Sequence, residues 1–238
     1  MALLNTIPAI ENEVGARLNF ARWMLARELT GRGDVCLTCS FQAEGVLLTR
    51  LASEIDAGIP ILFLDTGYHF RETTEYRDRI AREWDLNLIN IEPEKSVAEQ
   101  ESEHGPLYLT SPDQCCRMRK VEPLFKALAG YRAWITGLRR DQSRSRAHIS
   151  DRFMFTLPDG KQILKLAPLA SWTTRDVWYA CQQLSIPLLP LYEQGYTSIG
   201  CEPCTNLPLD PADPRSGRWA GRKSECGIHV PVIQPAPA

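Results

Sequence analysis

An α/β fold with a twisted, mainly parallel sheet flanked by helices is predicted by three observations. Short apolar runs alternate with stretches of helical periodicity along most of the chain. Each run ends in a loop of small and polar residues, as strands do where they feed a crossover helix. The chain has 238 residues, 44% hydrophobic and 24% charged, which suffices for one substantial core.

The elements follow in order. Residues 10–29 read as an amphipathic helix with Val14, Leu18, Trp23 and Leu25 on its apolar side. Val35-Cys36-Leu37-Thr38 is a short buried strand, followed by the loop from Ser40 to Gly45 and a helix through Val46, Leu47, Leu48 and Leu51. Pro60 to Leu64 is a second strand, ending in Asp65-Thr66-Gly67. A helix from about Thr73 to Trp84 and a strand from Leu86 to Ile91 continue the alternation, and the acidic stretch Glu92 to Glu103 is a solvated helix or loop. A helical segment opens at Cys115-Cys116 and ends near Gly130, before the strand Ala133 to Thr136. Thr173-Thr174-Arg175-Asp176 resembles a capping box, with Asp176 in place of Glu, and opens a helix carrying Val177, Trp178, Cys181 and Leu184. From Thr205 onward prolines interrupt any periodicity. Residues 1–204 are therefore read as one α/β domain, and 205–238 as a mobile tail.

Ligands of open α/β sheets sit beyond the carboxyl ends of the strands. That makes Ser40, Phe41, Asp65, Thr66 and Gly67 candidate nucleotide contacts, although an ordinary βα turn explains each segment taken alone. Four arginines fall within the eight residues Arg139 to Arg146 at another strand end. Guanidinium groups match phosphate and sulfate oxygens, so Arg139 and Arg140 are candidate anion ligands; a solvated basic loop is the alternative.

A net charge of -2 gives no general drive toward nucleic acid or anionic membranes. No apolar run approaches the roughly 20 residues that span a bilayer. The first twenty residues carry Glu11 and Glu13 and lack the basic-then-apolar order of a signal peptide. Eight cysteines without an export signal point to metal or redox chemistry in a reducing cytoplasm.

Cys115-Cys116 and Cys201-Glu202-Pro203-Cys204 make a set of four soft donors. Such a set favours zinc or an iron–sulfur cluster. In a 4Fe-4S cubane each thiolate takes its own iron, so adjacent cysteines can serve, whereas on one zinc ion they would close a strained ring. Zinc is the second choice. Cys36 and Cys39, three apart on a strand, point to opposite faces and read as core or turn residues. Cys181 reads as structural. Cys226 lies in the tail among Arg215, Arg218, Arg222 and Lys223, cations that favour the nucleophilic thiolate. His229 stands three residues on and could assist it or merely hydrogen-bond.

Taken in order, these motifs resemble the thioredoxin-dependent adenylyl-sulfate reductases. The likeness runs from Thr38 to His229 through Ser40-Phe41, Leu64-Asp65-Thr66-Gly67, Cys115-Cys116-x-x-Arg119-Lys120, Gly137-Leu138-Arg139-Arg140-Asp141-Gln142-Ser143, Cys201-x-x-Cys204 and Glu225-Cys226-Gly227-Ile228-His229. The resemblance implies an adenine-nucleotide alpha hydrolase-like fold. It also implies reduction of adenylyl sulfate to sulfite and AMP through an S-sulfocysteine on Cys226, with thioredoxin or a glutaredoxin-like protein as reductant. Cys115, Cys116, Cys201 and Cys204 would hold one 4Fe-4S cluster, with Lys120 between it and the substrate; Arg218 and Arg222 join the substrate-binding set. A homo-oligomer is implied, with no nucleic-acid or membrane partner. Gln42 and Gly45 depart from the glycine and the acidic residue that many relatives carry there. The alternatives are a reductase of the 3′-phosphorylated nucleotide or of both, and a non-catalytic iron–sulfur sensor. An ATP-activating enzyme is disfavoured because the Ser40–Gly45 loop lacks a Gly-Gly-x-Asp-Ser pattern.

Overall fold

A computed structural model describes residues 7–30, 34–223 and 225–229. Helix α1 (Ile7–Leu29) leads to β1 (Val35–Thr38), α2 (Ala43–Ser53), β2 (Ile61–Leu64), α3 (Arg71–Glu83) and β3 (Leu88–Ile91). Short helices α4 (Val97–His104), α5 (Leu107–Thr110) and α6 (Pro112–Cys116) follow, and α6 passes through a π turn, Arg117–Val121, into α7 (Glu122–Leu128). The chain closes with β4 (Ala133–Ile135), β5 (Arg152–Thr156), β6 (Gln162–Leu166) and α8 (Thr174–Gln183).

The strands form one sheet in the order β3-β2-β1-β4-β6-β5. Every pairing is parallel except β5 with β6. From β1 the chain builds outward through β2 and β3, then returns to place β4 on the other side of β1. That reversal opens a crevice at the carboxyl ends of β1 and β4.

The sheet separates two cores. One face packs Leu25 of α1, Leu47 of α2, Ile80 of α3 and Ala180 of α8 over Leu37, Ile61 and Ile135. The other packs Leu124, Phe125 and Leu128 of α7 over Cys36, Leu62, Trp134 and Phe155. Cys36 and Cys39 belong to opposite faces, and Cys181 is fully buried in the first core, as their positions in the sequence suggest. The capping box at α8 is present in full: Thr173 Oγ1 accepts from the Asp176 amide at 3.2 Å, and the Asp176 carboxylate accepts from the Thr173 amide at 2.8 Å.

Two features go beyond the sequence reading. The paired cysteines close α6 rather than open a helix, because Pro112, three residues earlier, supplies the fixed φ of a first helical position. A β5–β6 hairpin adds two strands, and β6 lies inside the sheet beside β4. The tail packs against the domain between 205 and 223: Trp219 is buried, Thr205 bridges to Arg218, and the Asn206 amide donates to Gly217 O at 2.9 Å. Residues 1–6 and 31–33 of the predicted domain, and Ser224 and 230–238 of the predicted tail, lie outside the described residues. Among those described, no helix is long and apolar enough to cross a membrane.

Candidate active site

The carboxyl ends of β1, β2 and β4 open into a cavity of about 450 Å³ at the switch point. Ser40 faces it from the β1–α2 loop. Gln42 locks that loop, its Oε1 accepting from the Ile199 amide at 2.9 Å and its Nε2 donating to Ser40 Oγ at 3.1 Å. Phe41 does not face the cavity. Its φ of 57° turns the ring into the core, where it meets Phe63 and Tyr76 edge-on.

The Asp65–Gly67 turn also lies off the cavity wall. Asp65 Oδ2 pairs with Arg77 at 3.2 Å, and Thr66 Oγ1 lies 3.3 Å from Cys201 Sγ. Gly67 has φ +71°, and a Cβ there would stand 2.7 Å from Val97 Cγ2. The turn thus braces the cysteine region, while its neighbour His69 reaches the cavity instead. Burial pulls His69 down to about 4, against the bond it donates to the Leu64 carbonyl at 2.8 Å.

The predicted arginines divide. Arg139 lines the cavity, but its guanidinium is already bound: Nε and Nη2 to Glu44 Oε1 at 2.9 and 2.8 Å, Nη1 to Asp141 Oδ2 at 3.1 Å. It fastens the β4 loop to α2. Arg140 is exposed and donates to the Ile149 carbonyl at 2.8 Å, and Arg222 ties the tail to α5 through Leu109 O at 2.7 Å. Neither lines the cavity. Arg218 does, buried and stacked over Trp219, together with Arg146 and Arg215. Burial, and then the guanidinium groups of Arg146 and Arg218, pull Arg215 down to about 10. This crowding of guanidinium groups holds one carboxylate, Glu225, which pairs with Arg146 at 2.6 Å and with Arg215 at 3.9 Å.

The tail enters at this wall. Cys226 lines the cavity and packs against Trp219 and the cysteines of the domain. On one side of it, Glu225 lies between Arg146 (2.8 and 2.6 Å) and Ser145 Oγ (3.0 Å). On the other, His229 stacks on Trp134 with centroids 5.6 Å apart and meets Lys165 Nζ through Nδ1 at 3.1 Å. Gly227, at φ +97°, makes the turn between them.

Cys115, Cys116, Cys201 and Cys204 line one small hollow behind the cavity, all buried and none in a disulfide. Cys201 precedes the 3-10 turn Glu202–Cys204 and Cys204 ends it, and the period of three brings both to one side. Burial, and then the three other thiols, push Cys115 up to about 11. Burial would also raise Cys201, but Lys120, Thr66 and Arg218 outweigh it and hold this thiol below its ordinary value. Lys120 borders both the hollow and the cavity. Burial alone would lower its pKa, yet Cys201, Cys226 and Cys116 raise it. Among the described residues no three Cys, His, Asp or Glu side chains converge closely enough to hold a single metal ion. Four thiols around one hollow are by their chemistry a soft-donor set.

Residues 34–207 match the phosphoadenosine phosphosulfate reductase domain. The chain belongs to that family. Curated relatives named adenosine 5′-phosphosulfate reductase include one from Rhodococcus opacus, 44% identical over 86% of this chain and 82% of that one. Another, from Streptomyces coelicolor, is 43% identical over 92% and 90%. Among solved structures, the phosphoadenylyl-sulfate reductase of Candida auris aligns with TM-score 0.66 and 24% identity over 78% of this chain and 88% of that one. Candida glabrata FMN adenylyltransferase aligns at 0.61 and 16%, over 96% and 77%. These two likenesses show the fold. Within this reductase domain, sequence reasoning missed His69, Glu44 as the partner of Arg139, and Lys165. A lysine inside the apolar strand Ile163-Leu164-Lys165-Leu166 was the available signal for the last.

Proposed function

We propose that the protein reduces adenylyl sulfate to sulfite and AMP, with Cys226 as nucleophile. The observation that carries this is Cys226 at the mouth of a switch-point cavity whose wall holds Lys120, Arg146, Arg215 and Arg218. A thiolate and a sulfate repel, so the protein's first task is to neutralise their encounter. Lys120 and Arg218 serve that end beside Cys226, while the strand ends of β1 and β4 receive the nucleotide.

The thiolate attacks the sulfur, the bond between sulfur and the bridging oxygen breaks, and AMP leaves with that electron pair. Cys226 then carries a sulfonate as S-sulfocysteine. A dithiol reductant, thioredoxin or a glutaredoxin-like protein, attacks the Cys226 sulfur and displaces sulfite. Its second thiol resolves the mixed disulfide. The two electrons that take sulfur to sulfite thus come from thiols. Cys115, Cys116, Cys201 and Cys204 would hold a 4Fe-4S cluster, which when bound would supply electrostatic and positional support behind Lys120. Eight free thiols suit a reducing cytoplasm. Self-association completes the reading and is checked by sedimentation.

The test is sulfite release by anaerobically purified protein with thioredoxin, comparing adenylyl sulfate with its 3′-phosphorylated form. A strong preference for adenylyl sulfate is expected, because Arg144 is exposed away from the cavity and Arg146 is occupied by Glu225. Comparable rates would assign dual specificity. Cys226→Ser should abolish release; persistence of sulfite in that variant would remove Cys226 from the chemistry and return the protein to the sensor reading.

A further inference from the structure

Lys165 is a buried amine that the reaction above does not use. It sits on β6 at 0% exposure, in register with Trp134 of β4 and Phe153 of β5, so all three side chains share one face of the sheet. Its Nζ lies 3.8 Å from the Trp134 ring centroid, 4.4 Å from Phe155 and 5.8 Å from Phe153. Such a cage can hold an ammonium by cation–π attraction. Yet an apolar side chain of similar length would fill the same space without desolvating a charge, so stability alone does not account for a lysine there.

What the lysine reaches is the tail. Among the described residues its hydrogen-bond partner is His229 Nδ1, at 3.1 Å. Burial, and then the charge of Arg146, pull the Lys165 amine well below its ordinary value, but charged or neutral it has N–H groups to donate; Nδ1 then accepts and the imidazole carries its proton on Nε2. The same imidazole stacks on Trp134 at an interplanar angle of 22°, and Ile228 packs against the α7-side core. The indole is itself fixed, its Nε1 donating to Thr38 Oγ1 at 2.8 Å. Cys226 lies three residues before His229, across the turn at Gly227.

We propose that Lys165 is a positioning residue: by holding His229 against Trp134 it docks the tail and sets Cys226 at the cavity. The inference rests on the reading of Cys226 as nucleophile only for its consequence in turnover; docking itself is a property of the free protein. His229 is accordingly an anchor, with Nδ1 committed to Lys165 rather than available to Cys226. Glu225, in the Arg146 and Ser145 cradle, anchors the other side independently.

The experiment measures alkylation of Cys226 by iodoacetamide in the full-length, nucleotide-free protein, followed by peptide mass spectrometry. Lys165→Met should accelerate it by up to about tenfold, the effect of losing one buried hydrogen bond. His229→Phe keeps the stacking ring but not the acceptor and should give the same acceleration. The double variant should add nothing further, because both changes break one contact. Lys165→Arg should recover part of the protection. With adenylyl sulfate, Lys165→Met should lower kcat more than it raises KM, since the cavity walls remain. Unchanged alkylation in either single variant, or multiplied effects in the double one, overturns the proposal. If Lys165→Met does not fold, His229→Phe alone decides, and faster alkylation supports the anchor. Protection of Cys226 without any sulfite from the wild type would leave the docking intact and refute the proposed function instead.

Discussion

Glu225 gives up its proton more readily in the docked tail than in a free one. Burial alone would raise its pKa, but the two bonds from Arg146, that residue's charge and Arg215 outweigh burial and hold it below the usual 4.5. A carboxyl depressed in the docked state stabilises docking above its ordinary value and loses that contribution as pH falls through the depressed one. Hydrogen exchange of residues 225–229 should therefore be several-fold faster in Glu225→Gln than in wild type at pH 7, as for loss of one charged hydrogen bond. The ratio of the two rates, in which intrinsic exchange cancels, should fall to unity below the carboxylate range. A ratio independent of pH would show that the carboxylate charge plays no part. At this scale the sequence was a partial guide. It marked Cys226, Arg218 and Lys120, which line the cavity. It could not tell which guanidinium pairs with which carboxylate, because Arg139 binds Glu44, 95 residues away, and Arg146 binds Glu225, 79 residues away. Arg140 and Arg222 had the right chemistry and the wrong direction, which loop residues do not declare.

Elements were more legible where local chemistry sets them. The Thr173–Asp176 capping box is readable because a side chain three residues from its partner amide needs no tertiary information. Thr173→Ala should cost about 1 kcal/mol, lowering the melting temperature of a domain this size by about 2–4 °C. Circular dichroism melts would show it, and no shift would mean the ion pair of Asp176 with Arg17 holds the helix start unaided. The β5–β6 hairpin also carried a local signal, Leu157-Pro158-Asp159-Gly160-Lys161, a Pro-Asp-Gly turn between apolar runs. Its closing bond, Leu157 N to Lys161 O, is 2.8 Å, and Gly160 takes the positive φ the turn requires. Passing over the hairpin also hid Lys165, which has meaning only once β6 is known to lie beside β4. The π turn after Cys116 is different: it widens the helix where Arg119 turns inward to Gln100 Oε1 at 3.1 Å and to the Lys95 carbonyl at 3.2 Å. Nothing in a run of five residues announces that.

At the scale of the molecule, two chambers meet at a narrow wall. The cavity is built by the carboxyl ends of β1, β2 and β4; the thiol hollow is built by α5, α6, the π turn and the Glu202–Cys204 turn, none of which belongs to the sheet. Their shared residues are Lys120 and Trp219. Sites with so little in common should respond nearly independently, whereas the residue they share should feel both. Replacing Cys204 by Ser is therefore expected to lower the iron content of anaerobically reconstituted protein while changing AMP affinity by no more than about twofold, the usual residual between distant sites. Sulfite release should fall by at least about tenfold, because Cys204 interacts with Lys120, the residue that borders both chambers beside Cys226. Iron analysis, calorimetric titration with AMP and the sulfite assay separate the three. A parallel loss of AMP affinity would mean that the hollow supports the cavity floor itself. Unchanged iron content with full sulfite release would mean that Cys204 is a packing residue and that Lys120 does not depend on it.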